Sequence, residues 1–150
     1  MNMENLGTYL DRQVELSYIS ELTEIDRMNY ACSLTLVWLC KPNWKVEDLR
    51  VAIKTLAWRR VLGITIAGEK TDESFSILLD TLGPLPGPHI MTGVSREDDE
   101  FAVVQAFLLS ALPSEERFDD WQGYNIIVVG DESAFKRMSE AVKRFLRRSL

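Results

Sequence analysis

Residues 33–40 read SLTLVWLC, an apolar and β-branched run with almost no polar alternation. A strand with one wet face alternates; a run like this is buried on both faces, as in the middle of a parallel sheet. Such a strand needs helices above and below it, which restricts the chain to an α/β architecture.

The rest of the pattern repeats that unit. KPNW breaks the run, and Val46, Leu49, Ile53, Leu56 and Val61 then follow helical spacing. GITIAG is a second short strand. DESFSILLDTLG puts Phe75, Leu78, Leu79 and Leu82 on one helical face, with Gly83 as the stop. After the turn-rich PLPGP, HIMTGVS reads as a third strand, weakened by Gly93. DDEFAVVQAFLLSAL is apolar on most sides, so it predicts a largely buried helix closed by Pro113. SEERFDDWQG is a polar loop with Phe118 and Trp121 as anchors, and YNIIVVG is a fourth strand. The last helix carries the stripe Phe135, Met138, Val142, Phe145 and Leu146.

Four strand–helix repeats predict a three-layer α/β/α sandwich around a four-stranded, mainly parallel sheet with right-handed crossovers. The expectation is a flavodoxin-like or Rossmann-like half with strand order 2-1-3-4. Leu6, Tyr9, Leu10, Gln13 and Leu16 lie near helical spacing, so residues 1–30 read as a helical lead-in. A length of 150 residues suits one domain, 1–150.

Hydrophobic residues at 46% and charged residues at 27% place the chain among globular rather than disordered sequences. No stretch approaches the roughly 20 apolar residues of a membrane span. The start lacks the apolar core of a signal peptide, so a cytoplasmic protein with no membrane partner is expected. Cys32 and Cys40 flank one strand and sit about 26 Å apart at roughly 3.3 Å per residue, beyond disulfide reach. There is no CxxC, and His89 is the single histidine, so no metal pair is expected.

The net charge is −6. Residues 136–150 hold Lys136, Arg137, Lys143, Arg144, Arg147 and Arg148 against Glu140, so the rest is more acidic still. An acidic body repels phosphate backbones and steers in basic partners. The basic end reads as a solvated helix face, with self-association as its rival.

In such a sheet all strand C-termini share one edge, where ligands of open α/β folds bind. The loops there hold Glu69, Lys70, Asp72 and Glu73; then Arg96, Glu97, Asp98, Asp99 and Glu100; then Asp131 and Glu132. Thr71, Ser95 and Asp131 read as helix N-caps, and Ser95 to Asp98 resembles a capping box. Capping uses one or two acids per helix, whereas residues 97–100 supply four. A Mg²⁺ or Ca²⁺ site needs oxygens converging within about 2 to 2.6 Å of the ion. Consecutive acids at a helix start diverge, so no metal and no cofactor is expected. An acidic docking surface for a basic protein remains.

GITIAGEKT approaches the phosphate-loop pattern, but Glu69 intrudes before Lys70 and Thr71, and the intervening residues read as a strand. No catalytic motif is present, and His89 falls at the far end of its strand. Trp58 lies off its helix stripe beside Arg59 and Arg60, which fits packing under a loop or against a neighbouring helix, with an interface role as the rival reading.

Residues 30–140 resemble a family of small, uncharacterised bacterial α/β domains. The likeness rests on SLTLVWLC, GITIAG, IMTGVSREDDEFAVVQAFLLSALPSEER, the acidic loop with Trp121, and IIVVGDES. Where that family has MTTWH, this chain has MTGVS, so no role of the Trp–His pair carries over. The resemblance implies the fold and assigns no chemistry.

These features predict a protein-binding module and no catalytic residues. The leading reading is a bacterial immunity or antitoxin-like protein that neutralises a basic toxin through an acidic surface. That surface is expected to comprise Asp72, Glu73, Glu97, Asp98, Asp99, Glu100, Asp119, Asp120 and Trp121. The alternatives are a small-ligand domain or enzyme using the sheet edge through Asp98, Asp131 or Lys70, and a structural homodimer subunit.

Overall fold

The apolar runs assemble into one six-stranded sheet in a computed structural model that describes residues 2–87 and 89–149. The strands are β1 (Asn2–Tyr9), β2 (Arg12–Ile19), β3 (Ser33–Leu39), β4 (Gly63–Gly68), β5 (Met91–Ser95) and β6 (Gly123–Val129). Their spatial order is β1-β2-β6-β3-β4-β5. β1 is antiparallel to β2, and every other pairing is parallel. The helices are α1 (Val46–Trp58), α2 (Thr71–Leu82), α3 (Glu100–Ser110) and α4 (Glu132–Arg148).

Period-two alternation divides the interior. β3 sends Leu34, Leu36 and Trp38 to a core shared with α3 and α4, and Val37 and Leu39 to one shared with α1 and α2. Helices therefore cover both faces, as the double-sided apolar runs require.

The expected order 2-1-3-4 is not what forms. The four strands of that expectation are β3, β4, β5 and β6, and β6 passes to the far side of β3 while β5 takes the edge. Burial explains the exchange. Residues 124–129 of β6 are buried throughout, and the one amide among them, Asn125, donates to Ser33 Oγ at 3.0 Å. β5 has only five residues, exposes Met91 and Thr92, and contains Gly93. A strand that apolar is stabilised in the centre; a short, half-polar one tolerates the edge.

The helical lead-in is also overturned. Residues 2–19 form the β1–β2 hairpin, and Leu22–Arg27 is a 3-10 segment against α1. Val14 and Leu16 enter one core and Ile19 the other, a strand pattern that coincides with helical spacing over so short a window. Tyr9 pairs with Arg12, so the hairpin closes on two residues, Leu10 (φ 53°) and Asp11 (φ 63°). Both are left-handed, the geometry of a type I′ turn, but the Asn-Gly signature of such turns is missing.

Gly68 fixes the end of β4. At φ +112° a Cβ there would lie 2.1 Å from the Leu39 carbonyl oxygen, so any side chain would collide with β3. The spacing that resembled a phosphate loop is thus a paired strand.

Left-handed backbone at a non-glycine residue costs about 1–2 kcal/mol. Replacing the turn by Leu10→Asn with Asp11→Gly is expected to raise stability by about 1–2 kcal/mol. The readout is a higher urea midpoint at unchanged slope; an unchanged or lower midpoint contradicts the turn geometry.

Candidate functional site

Parallel strands put the loops after β3, β4, β5 and β6 on one edge. At the end of β4 the Thr71 hydroxyl donates to the Gly68 carbonyl at 2.6 Å instead of capping the helix, and left-handed Lys70 (φ 56°) precedes α2. Its ammonium lies 5.5 Å from the centroid of the Trp44 ring. Asp72 and Glu73 then stand exposed in the first turn, where the helix dipole favours acids. Arg96, just past β5, donates to Asp72 Oδ1 from Nε at 3.0 Å and Nη2 at 2.7 Å. Both partners are solvent-exposed, so the bridge orients two loops and contributes little stability.

The acidic run 97–100 splits by role. Asp99 is the N-cap of α3, its Oδ2 accepting from the Ala102 N–H at 3.1 Å. The expected Ser95–Asp98 box does not form, because the helix starts later. Ser95 is buried, and its Oγ accepts from the Glu97 N–H at 3.4 Å. Glu100 turns inward and pairs with Arg137 Nε at 3.0 Å. Glu97 and Asp98 are left exposed, with no ion pair among the described residues.

At the end of β6, Asp131 caps α4 as expected, accepting from the Ser133 N–H at 2.9 Å and hydroxyl at 2.7 Å. The Ser133 hydroxyl is the main reason its carboxyl stays below the usual range. Arg137 Nη1 also donates to Ser133 Oγ at 3.2 Å, completing the chain Asp131–Ser133–Arg137–Glu100. Cys40 lies close by. Burial, with the Asp131 and Glu100 charges behind it, pushes its thiol up to about 12. Tyr18 is likewise raised, first by burial and then by Glu132 and Asp131. Asp131, Ser133, Arg137 and Glu100 satisfy one another, and the thiol is held protonated. Among the described residues no cluster of three or more His, Cys, Asp or Glu could hold a metal ion.

The structure does not bring Asp119, Asp120 and Trp121 to this edge. They precede β6, so they lie at the N-terminal end of the sheet. Arg117 fixes that segment, Glu115–Asp120, by donating to the Val61 carbonyl at 3.1 Å. Trp121 is 5% exposed; its indole N–H donates to the Gly123 carbonyl at 3.2 Å, and the Arg12 guanidinium covers its ring at 3.8 Å from the centroid. It anchors the sheet rather than facing a partner. The acids that share one surface are therefore Asp72, Glu73, Glu97 and Asp98, with Asp99 and Glu100 committed to internal contacts. A groove at the opposite edge, beside Trp58, went unread in the sequence; its only signal is that tryptophan's place off the helix stripe.

No family profile matches the chain, and no curated protein matches it. No helix among the described residues is long and apolar enough to cross a membrane.

A thiol pushed so high holds little thiolate near neutrality. Cys40 is expected to alkylate with iodoacetamide at pH 8 at least about tenfold more slowly than glutathione, speeding up as the pH rises. Peptide mass spectrometry reads the site, and labelling as fast as glutathione would contradict the burial.

Proposed function

We propose that this chain is a protein-binding module of the immunity or antitoxin kind, which neutralises a basic partner through its acidic sheet edge. One observation carries the reading. Asp72 and Glu73 in the first turn of α2 and Glu97 and Asp98 in the loop after β5 come onto one exposed surface, and three of the four have no cationic partner among the described residues. Helix capping accounts for Asp99, ion pairs for Glu100 and Asp72, and the α2 dipole for Glu73, but none of these requirements explains Glu97 and Asp98.

Such a surface accelerates association with a positively charged protein and disfavours acidic ones. Neutralisation of this kind needs no chemistry from the module; covering the partner's working surface is enough. A basic protein encoded beside this chain is the first candidate to test.

Against such a partner, Glu73→Lys combined with Glu97→Lys and Asp98→Lys is expected to slow association about tenfold or more at low salt. The difference should shrink as ionic strength rises. Asp119→Lys with Asp120→Lys, at the far edge, is expected to leave the on-rate nearly unchanged. Stopped-flow kinetics decides: an unaltered rate in the first variant, or a larger effect in the second, would remove the acidic edge from the account.

A further inference from the structure

The helices α1 and α2 lie side by side, and beyond their C-terminal halves runs an open groove of about 1060 Å³. Val51 and Trp58 form one wall, and Leu79 and Leu82 the other. Trp58 is 85% exposed and Val51 57%; both stand on the face of α1 opposite the buried Leu49, Ile53 and Leu56. Trp58, Val51 and Leu79 together make an exposed apolar patch, and contiguous patches rimmed by polar residues, with a tryptophan among them, mark interaction sites.

The charge around it is the reverse of that on the acidic edge. Lys54, Arg59, Arg60 and Arg117 line the groove, and no Asp or Glu does, in a chain whose net charge is −6. Arg59 and Arg117 donate to the Asp26 and Val61 carbonyls at 2.8 and 3.1 Å, and neither forms an ion pair among the described residues. Lys54 and Arg60 have no carboxylate partner among the described residues.

Those features select the occupant. Two copies meeting groove to groove would bring cation against cation. A small ligand would leave Trp58 and Val51 wet, whereas small-molecule sites enclose most of what they bind. We propose that this groove docks an acidic, amphipathic segment of a partner protein. Apolar side chains at helical spacing would fill the trough against Trp58, and flanking carboxylates would meet Lys54 and Arg60. This site lies at the opposite edge from the acidic surface and does not rest on it.

The test selects displayed random peptides against the full chain, with subtraction on a Trp58→Ala variant. The enriched sequences are expected to combine Asp or Glu with Leu, Ile or Phe at helical spacing. As free peptides they should bind Trp58→Ala and Lys54→Glu at least about tenfold more weakly than the parent chain. Both replaced side chains are exposed, so the thermal midpoints should stay close to the parent's. Enriched peptides that are basic or uncharged would overturn the proposal, as would failure to enrich any peptide over the Trp58→Ala variant. If sedimentation shows a dimer that Trp58→Ala dissociates, the occupant is a second copy and the proposal fails.

Discussion

The pairing of β6 with both β2 and β3 is the contact on which the other features depend. In register, Leu16, Ile126 and Leu36 stand abreast, as do Ile19, Val129 and Leu39. Hydrogen bonds then step across the edge where those strands finish: Gly130 N–H to the Ile19 carbonyl, Cys40 to Val129, and Glu69 to Leu39. The opposite edge is stitched the same way, by Gln122 to Cys32, Leu62 to Ser33 and Met91 to Leu62. Because β6 lies inside the sheet, the N-terminal hairpin joins the α/β body through a continuous ladder.

That ladder also sorts the charges. Residues that follow a parallel strand appear at one edge, and residues that precede one appear at the other. Asp72, Glu73, Glu97 and Asp98 follow strands. Trp58, Arg59 and Arg60 end the helix that leads into β4, and Arg117 lies in the segment before β6. The molecule thereby has an acidic surface at one end of the sheet and a cation-lined apolar groove at the other. Placing both on the ends of packed strands and helices keeps them rigid.

Much of this was legible in the residues. The double-sided runs SLTLVWLC and YNIIVVG gave away an α/β fold, and the strand–turn–helix rhythm located all four helices. The central place of β6 and the edge place of β5 were written in their composition, though an analogy to a familiar strand order concealed it. The hairpin was hidden because Leu10 and Asp11 adopt a turn that normally advertises itself with Asn-Gly. Ser95 has the residue type of a cap, but it is the last residue of β5, and Asp99 caps α3 instead. Asp119 and Asp120 were grouped with the other acids by charge alone, and charge does not tell which end of a strand a loop occupies. The groove lay beyond sequence reasoning, because its walls come from residues that are neighbours only after α1 and α2 pack.

The fold puts opposite charge at two exposed surfaces, the acidic sheet edge and the groove beside Trp58. NMR relaxation enhancement by paired nitroxide co-solutes, one cationic and one anionic, measures it directly. The amides of Glu73, Glu97 and Asp98 should relax more with the cationic probe, and the Trp58 indole N–H more with the anionic one. Equal relaxation by the two probes at these sites, or the same preference at both ends, would contradict the account.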